Sequence, residues 1–188
     1  MFSLTHIDDS WTLLLDRDGV INVEKNNDYI FSWNEFKFYP YSLEALAILA
    51  TIFPRICIVT NQKGVGKGLM TVETLATIHI NMTTAIQNAG GRIDKIYYCS
   101  DLEDTSPNRK PQPGMALQAK ADFPTMDFSK TIMVGNRPSD MRFGRNAGIH
   151  TAYIDTTHPD TVNPHPDIDI RYKDLLAFAH ACKAAKKM

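Results

Sequence analysis

The chain has 188 residues, of which 44% are hydrophobic and 22% charged. That length fits one domain able to bury its own core without a metal or a disulfide, and the composition excludes wholesale disorder. Twenty Lys and Arg residues against twenty-one Asp and Glu leave a formal charge of −1, so no global field favours nucleic acid or an anionic membrane.

No apolar run approaches the roughly eighteen residues a membrane span needs. The stretch MFSLTHIDDSWTLLLD has no basic leader and no small-residue cleavage site, so no signal peptide is expected. Cys57, Cys99 and Cys182 are odd in number and widely spaced. They read as reduced intracellular thiols, and the expected compartment is the cytoplasm.

Short apolar runs alternate with helical patterns. Residues 11–15, 55–59, 93–99 and 131–134 read as strands buried on both faces of a parallel sheet, with 151–154 as a weaker fifth. Between them, Leu43, Leu46, Ala50 and Phe53 recur at helical spacing, as do Leu75, Ile78, Met82 and Ile86 before the Gly90-Gly91 stop. Pro113 can open a helix carrying Ala116, Leu117 and Lys120, residues 139–147 form a short helix ended by Gly148, and Leu175, Leu176, Ala179 and Cys182 mark a terminal helix. Alternation of this kind predicts an open α/β fold with ligands outside the carboxyl ends of the strands, after Leu15, Val59, Cys99 and Val134. Residues 19–40 are long and aromatic: they predict either a β-hairpin flap over the site or an aromatic-rich loop packed on the sheet edge.

Four stretches at those strand ends can carry chemistry. Asp16-Arg17-Asp18-Gly19 places two carboxylates two residues apart behind a buried strand, where both can approach one cation or phosphate. The bland alternative is a charged strand terminus with a glycine turn. Thr60-Asn61-Gln62, followed by Gly64, Gly66, Lys67 and Gly68, offers a hydroxyl, an amide and backbone N–H groups suited to phosphoryl oxygens. It is not a Walker loop, and alone it reads equally as a flexible turn. Arg109-Lys110 between prolines is an anion clamp or a solvated basic turn. Asn136 and Asp140, four residues apart after Val134-Gly135, offer oxygen ligands to a hard cation or a helix cap.

Asp-x-Asp-Gly-Val, Thr-Asn-Gln, Arg-Lys-Pro-x-Pro-Gly-Met and Val-Gly-x-x-x-x-Asp-Met, in this order over residues 13–153, resemble the haloacid dehalogenase (HAD) superfamily of phosphatases. The wording is most similar to the histidinol-phosphate and heptose bisphosphate phosphatase group. The resemblance implies a single HAD-like domain over residues 1–188 with a three-layer Rossmann-like fold, a flap at about 19–40 and no large cap domain. It implies Asp16 as the nucleophile that becomes an aspartyl-phosphate and Asp18 as general acid, then base. Thr60, Asn61 and Gln62 form the phosphate loop, Lys110 neutralises nucleophile and phosphate, and Arg109, Lys67 and Arg137 match substrate-contacting positions. Mg²⁺ would be held by Asp16, Asp18 through its carbonyl, the Asn136 position and Asp140.

Two departures stand out. The family has Gly-Asp where this chain has Gly135-Asn136, which removes one negative charge from the metal site; Asp140 would compensate directly or through water, and a raised Mg²⁺ requirement follows. The group's zinc loop, with three Cys and a His, is reduced here to residues 99–108 with one Cys and no His, so no zinc is expected. His150, His158 and His165 read as turn or surface residues. The expected activity is Mg²⁺-dependent hydrolysis of a phosphomonoester, a heptose bisphosphate first, because Asn22 and the Arg-Lys-Pro-x-Pro-Gly-Met wording favour that branch. Histidinol phosphate, a nucleic-acid 3′-phosphate and a non-catalytic phosphate-binding role are the alternatives. No nucleic-acid or membrane partner is expected, and a monomer is the default.

Overall fold

A computed structural model describes residues 2–26 and 28–186. Six parallel strands form one sheet in the order β3-β2-β1-β4-β5-β6: β1 Thr12–Leu15, β2 Arg55–Asn61, β3 Lys95–Cys99, β4 Thr131–Gly135, β5 His150–Ile154 and β6 Ile170–Tyr172. All four β1 residues are fully buried, as a strand flanked on both edges and covered on both faces must be. Five of these strands follow the apolar runs in the sequence. The sixth, β6, is a three-residue edge strand carrying Arg171, too short and too polar to show a buried pattern.

Alternate residues of each strand divide the core into two layers. Leu13 and Leu15, Ile56 and Ile58, and Ile132 and Val134 face α1 (Ser42–Ala50), α3 (Val72–Asn88) and α6 (Leu175–Lys186). Leu14, Cys57, Val59 and Met133 face α4 (Gly114–Asp122) and α5 (Pro138–Ala147). The result is a helix–sheet–helix sandwich. The helices end where local chemistry requires: Thr71 caps α3 by accepting from the Thr74 N–H at 3.1 Å, and Gly148 closes α5 at φ 73°. The three cysteines are buried and unpaired. No helix among the described residues is long and apolar enough to cross a membrane.

Among the described residues of 19–40, antiparallel pairing amounts to one bridge, Asn22 to Phe38, where the Val23 N–H donates to the Lys37 carbonyl at 2.8 Å and the Tyr39 N–H to the Ile21 carbonyl at 3.2 Å, with a 3-10 turn at Trp33–Glu35. Trp33, Phe36 and Phe38 pack on one another, with centroids 5.0–6.3 Å apart, and this aromatic packing replaces a ladder. Before α3 the chain adds only the single turn α2 (Lys63–Gly66). No helical insert of several dozen residues stands over the strand ends among the described residues.

The chain runs from β1 outward to β2 and β3, then returns to place β4 on the other side of β1. The crevice between the ends of β1 and β4 is therefore the switch point where α/β sheets bind ligands.

Candidate active site

Asp16 leaves β1 at that switch point, its N–H donating to the Val134 carbonyl of β4 at 2.9 Å. Its side chain meets Lys110: Nζ lies 2.8 Å from Asp16 Oδ1 and 2.7 Å from Asp140 Oδ1. All three residues are at least 94% buried (Asp16 6% exposed, Lys110 4%, Asp140 1%). Burial pushes the Asp16 carboxyl up to about 7, with Lys110 opposing and Asp140 adding to the rise. Burial alone would depress Lys110, but the charges of Asp140 and Asp16 outweigh it and hold the ammonium above its ordinary value.

The lysine is placed by the β2 loop. The Asn61 amide donates to the Lys110 carbonyl at 3.1 Å and accepts its N–H at 3.0 Å. The Asn61 side chain, expected to grip phosphoryl oxygens, is thus engaged in holding Lys110. Gln62 is likewise turned inward, donating to Asp18 Oδ2 and Thr60 Oγ1, both at 2.9 Å. Thr60 keeps its place on the pocket wall.

Asp18 is gripped on three sides. Arg17 Nη2 lies 3.0 and 2.9 Å from its two oxygens, Asn22 donates at 2.9 Å, and Gln62 completes the set. Burial would raise this carboxyl, but the Arg17 charge and the three sets of hydrogen bonds outweigh it and hold it below its ordinary value. The two acids of one motif are therefore driven apart, Asp16 upward and Asp18 downward, so a nucleophilic role for Asp16 needs a further cation to bring its carboxyl back down.

On the β4 side, Asp140 Oδ2 accepts the N–H groups of Asn136 at 3.2 Å and Arg137 at 3.0 Å, capping α5. With Oδ1 on Lys110, both Asp140 oxygens are engaged, one with the lysine and the other with the helix cap. Gly135 permits this: a Cβ there would sit 2.3 Å from the Asp140 Cβ. Asn136 is fully buried; its Nδ2 donates to Glu24 Oε2 at 3.1 Å and Thr157 Oγ1 at 2.6 Å, while Oδ1 is buried without a hydrogen-bond partner among the described residues. An orphaned amide oxygen beside a carboxylate strand end fits a hard divalent cation, which takes oxygen ligands of this kind. Gly19, at φ 87°, turns the chain away under the Asn136 amide, where a Cβ would come within 2.0 Å of Nδ2. No group of three or more His, Cys, Asp or Glu is arranged to hold a metal among the described residues.

Asp16, Asp18, Thr60, Lys110 and Asp140 line a cavity of about 700 Å³, within the range of small-molecule sites; Asn136 is not among its lining residues. Its lining also includes Arg109 and Arg137, together with charged groups that no sequence motif marks: Lys63, Glu24, Lys25, Asp28 and Asp104. Arg137 pairs with Glu24. Arg109 and Lys63 both pair with Asp104, at 2.9 and 3.2 Å. Lys67 is not brought to the cavity; it is exposed, with Nζ 5.3 Å from the Tyr29 ring centroid. The one-turn α2 puts Lys63, not Lys67, on the inner side, and no apolar periodicity marks so short a helix.

The HAD-hydrolase-like family profile matches residues 107–171, which contain Lys110, Asn136 and Asp140. The D-glycero-alpha-D-manno-heptose-1,7-bisphosphate 7-phosphatase of Mycobacterium tuberculosis is 36% identical over 177 residues, 94% of this chain and 93% of that protein. The beta-anomer 7-phosphatase of Vibrio cholerae is 33% identical, with 76% of this chain and 79% of that protein covered. Among solved structures, D,D-heptose 1,7-bisphosphate phosphatase from B. bronchiseptica, complexed with magnesium and phosphate, superposes with a TM-score of 0.82 at 27% identity, covering 94% of this chain and 99% of that one. Identity of this level along nearly the whole of both chains, on a fold whose switch point gathers Asp16, Asp18 and Lys110, places the protein: it belongs to the heptose-1,7-bisphosphate 7-phosphatase family of HAD-like hydrolases.

Proposed function

We propose that this chain removes the 7-phosphate from D-glycero-D-manno-heptose 1,7-bisphosphate, through an aspartyl-phosphate on Asp16 and with Mg²⁺. The observation that carries the reading is the buried contact of Asp16 with Lys110 at the floor of a cavity large enough for a sugar bisphosphate. A nucleophilic carboxylate beside a dianionic phosphoryl group needs a fixed cation, and Lys110 is held for that by Asn61 and Asp140.

In the first step an Asp16 carboxylate oxygen attacks phosphorus. The bond from phosphorus to the sugar oxygen breaks, and Asp18 gives its proton to the departing alkoxide. Water then attacks the aspartyl-phosphate and Asp18 takes its proton. The bond to Asp16 breaks, and inorganic phosphate leaves with the carboxylate restored. Arg17, Asn22 and Gln62 hold Asp18 as an anion at rest, so the proton it gives must first be taken from bulk water or from the monoanionic phosphate of the entering substrate. Asp16, the Asp18 carbonyl and Asn136 Oδ1 would hold Mg²⁺, which when bound supplies charge neutralisation between the nucleophile and the phosphoryl group. Thr60 lies on the wall where the phosphoryl oxygens would sit, and Arg109, Arg137 and Lys63 at the mouth offer cations to a second phosphate.

The chain is taken to act as a single-domain monomer, and three unpaired buried thiols suit the cytoplasm. The test is phosphate release from both anomers of the heptose bisphosphate, histidinol phosphate and a 3′-phosphorylated oligonucleotide, with and without Mg²⁺. Release from a heptose bisphosphate that requires Mg²⁺ and is lost in Asp16→Asn is expected. Release from none refutes the reading, and preference for another substrate moves it to that class.

A further inference from the structure

Arg17, the residue between the two acids, is 1% exposed. A buried guanidinium must be paired on every side it can reach. Its Nη2 serves Asp18 and, at 3.2 Å, the side-chain Oε1 of Gln62. Its Nε is buried without a hydrogen-bond partner among the described residues. Its Nη1 has a single partner among the described residues: His79 Nε2, 3.1 Å away on α3.

Guanidinium only donates, so His79 Nε2 must accept, and the ring must be neutral with its proton on Nδ1. Burial, with the Arg17 charge added, pushes the imidazole down to about 3, which keeps it so. The ring is fixed in turn by the helix, since His79 shares the buried face of Leu75, Ile78, Met82 and Ile86. The guanidinium thus has two anchors. At one end it meets Asp18 and Gln62, and at the other a helix packed into the core. Without His79, Arg17 Nη1 has no partner among the described residues, and the guanidinium is held at the Asp18 end alone.

We propose that His79 is a positioning residue for proton transfer, fixing through Arg17 the carboxylate of Asp18 toward the leaving group. It rests on Asp18 being the general acid, and the experiment separates the two claims. Alkyl phosphates need a proton on the departing oxygen, whereas aryl phosphates with acidic phenols leave without one. The measured quantity is kcat/KM, which reads only the steps through departure of the leaving group.

In Asp18→Asn, kcat/KM for an alkyl phosphate should collapse far more than for an aryl phosphate. Equal loss on both removes the acid role and this inference with it. Where that control holds, His79→Leu should lower kcat/KM for the alkyl phosphate about tenfold, a fraction of what a positioned acid contributes, and leave the aryl phosphate within about twofold. His79→Gln, whose amide oxygen can accept from Nη1, should restore the alkyl rate. Equal loss on both substrates in His79→Leu, no loss on either, or no rescue by His79→Gln overturns the positioning role. Should His79→Leu fail to fold, nitrogen NMR of the wild-type protein decides: an unprotonated Nε2 accepting a hydrogen bond is expected, and an Nε2–H tautomer refutes it.

Discussion

A neutral imidazole held against a buried guanidinium predicts an acid-sensitive fold. The groups facing His79 are Arg17, Asp18 and, with ring centroids 6.2 Å apart, Tyr98. The ordinary histidine value is 6.5, and His79 lies at about 3 in the folded chain, so below 6.5 the unfolded state binds a proton that the folded state does not. Stability therefore rises with pH between these two values and is lost as pH falls through that window. At about pH 5.5 the penalty is about 1.4 kcal/mol, and at about pH 7.5 it is below about 0.1, so acidification costs about 1.3 kcal/mol at this residue. The figure holds for any folded-state value well below 5.5. Asp16, raised to about 7, acts in the opposite sense, because its unfolded carboxyl releases its proton first. Comparison with His79→Gln removes that shared contribution. Urea unfolding of both proteins at the two pH values should show the wild type losing about 1.3 kcal/mol more than the variant on acidification, or roughly 3–5 °C in melting temperature for a chain of this size. Equal acid sensitivity in wild type and variant would refute a neutral, Arg-facing His79.

Asn136→Asp sets a second carboxylate against Glu24 where Nδ2 now donates at 3.1 Å. The metal-free protein should lose about 2 kcal/mol, Mg²⁺ should restore it, and half-saturating Mg²⁺ should fall roughly tenfold, read by thermal melts with chelator or Mg²⁺ and by activity titration. An unchanged metal requirement counts against Asn136 as a ligand. Lys110→Met leaves Asp16 and Asp140 facing each other without a cation, which should destabilise the fold by about 3–5 kcal/mol in urea and lower turnover by at least about a hundredfold. Asp104→Ala frees Lys63 and Arg109 from an exposed carboxylate and should lower KM for a bisphosphate at most about fivefold while leaving a monophosphate unchanged.

What the sequence reveals and what it hides divide along the depth of the pocket. The floor stands on strand ends, and a strand buried on both faces writes itself as an unbroken apolar run: Leu13 to Leu15 places Asp16, and Ile132 to Val134 places Asn136. Spacing alone could not tell which polar groups around the floor face substrate and which face each other. Asn61 and Gln62 look like phosphate donors in one dimension, yet both amides are turned onto their neighbours, because a buried lysine and a buried aspartate must be satisfied before a ligand arrives. His79 was hidden for the complementary reason. A polar residue at a core-facing helical position carries no motif, and only the fold shows that Arg17 lies opposite it. The mouth obeys weaker rules. Lys63, Asp104, Glu24 and Arg137 meet across loops through ion pairs that leave no periodic trace, and β6 and the aromatic packing of residues 19–40 are equally silent. Exposed pairs of this kind contribute little each and are screened by salt. Under the proposed function the chemistry is therefore fixed by buried, costly contacts, whereas the choice among phosphorylated sugars would rest on exposed ones that few substitutions would need to rearrange.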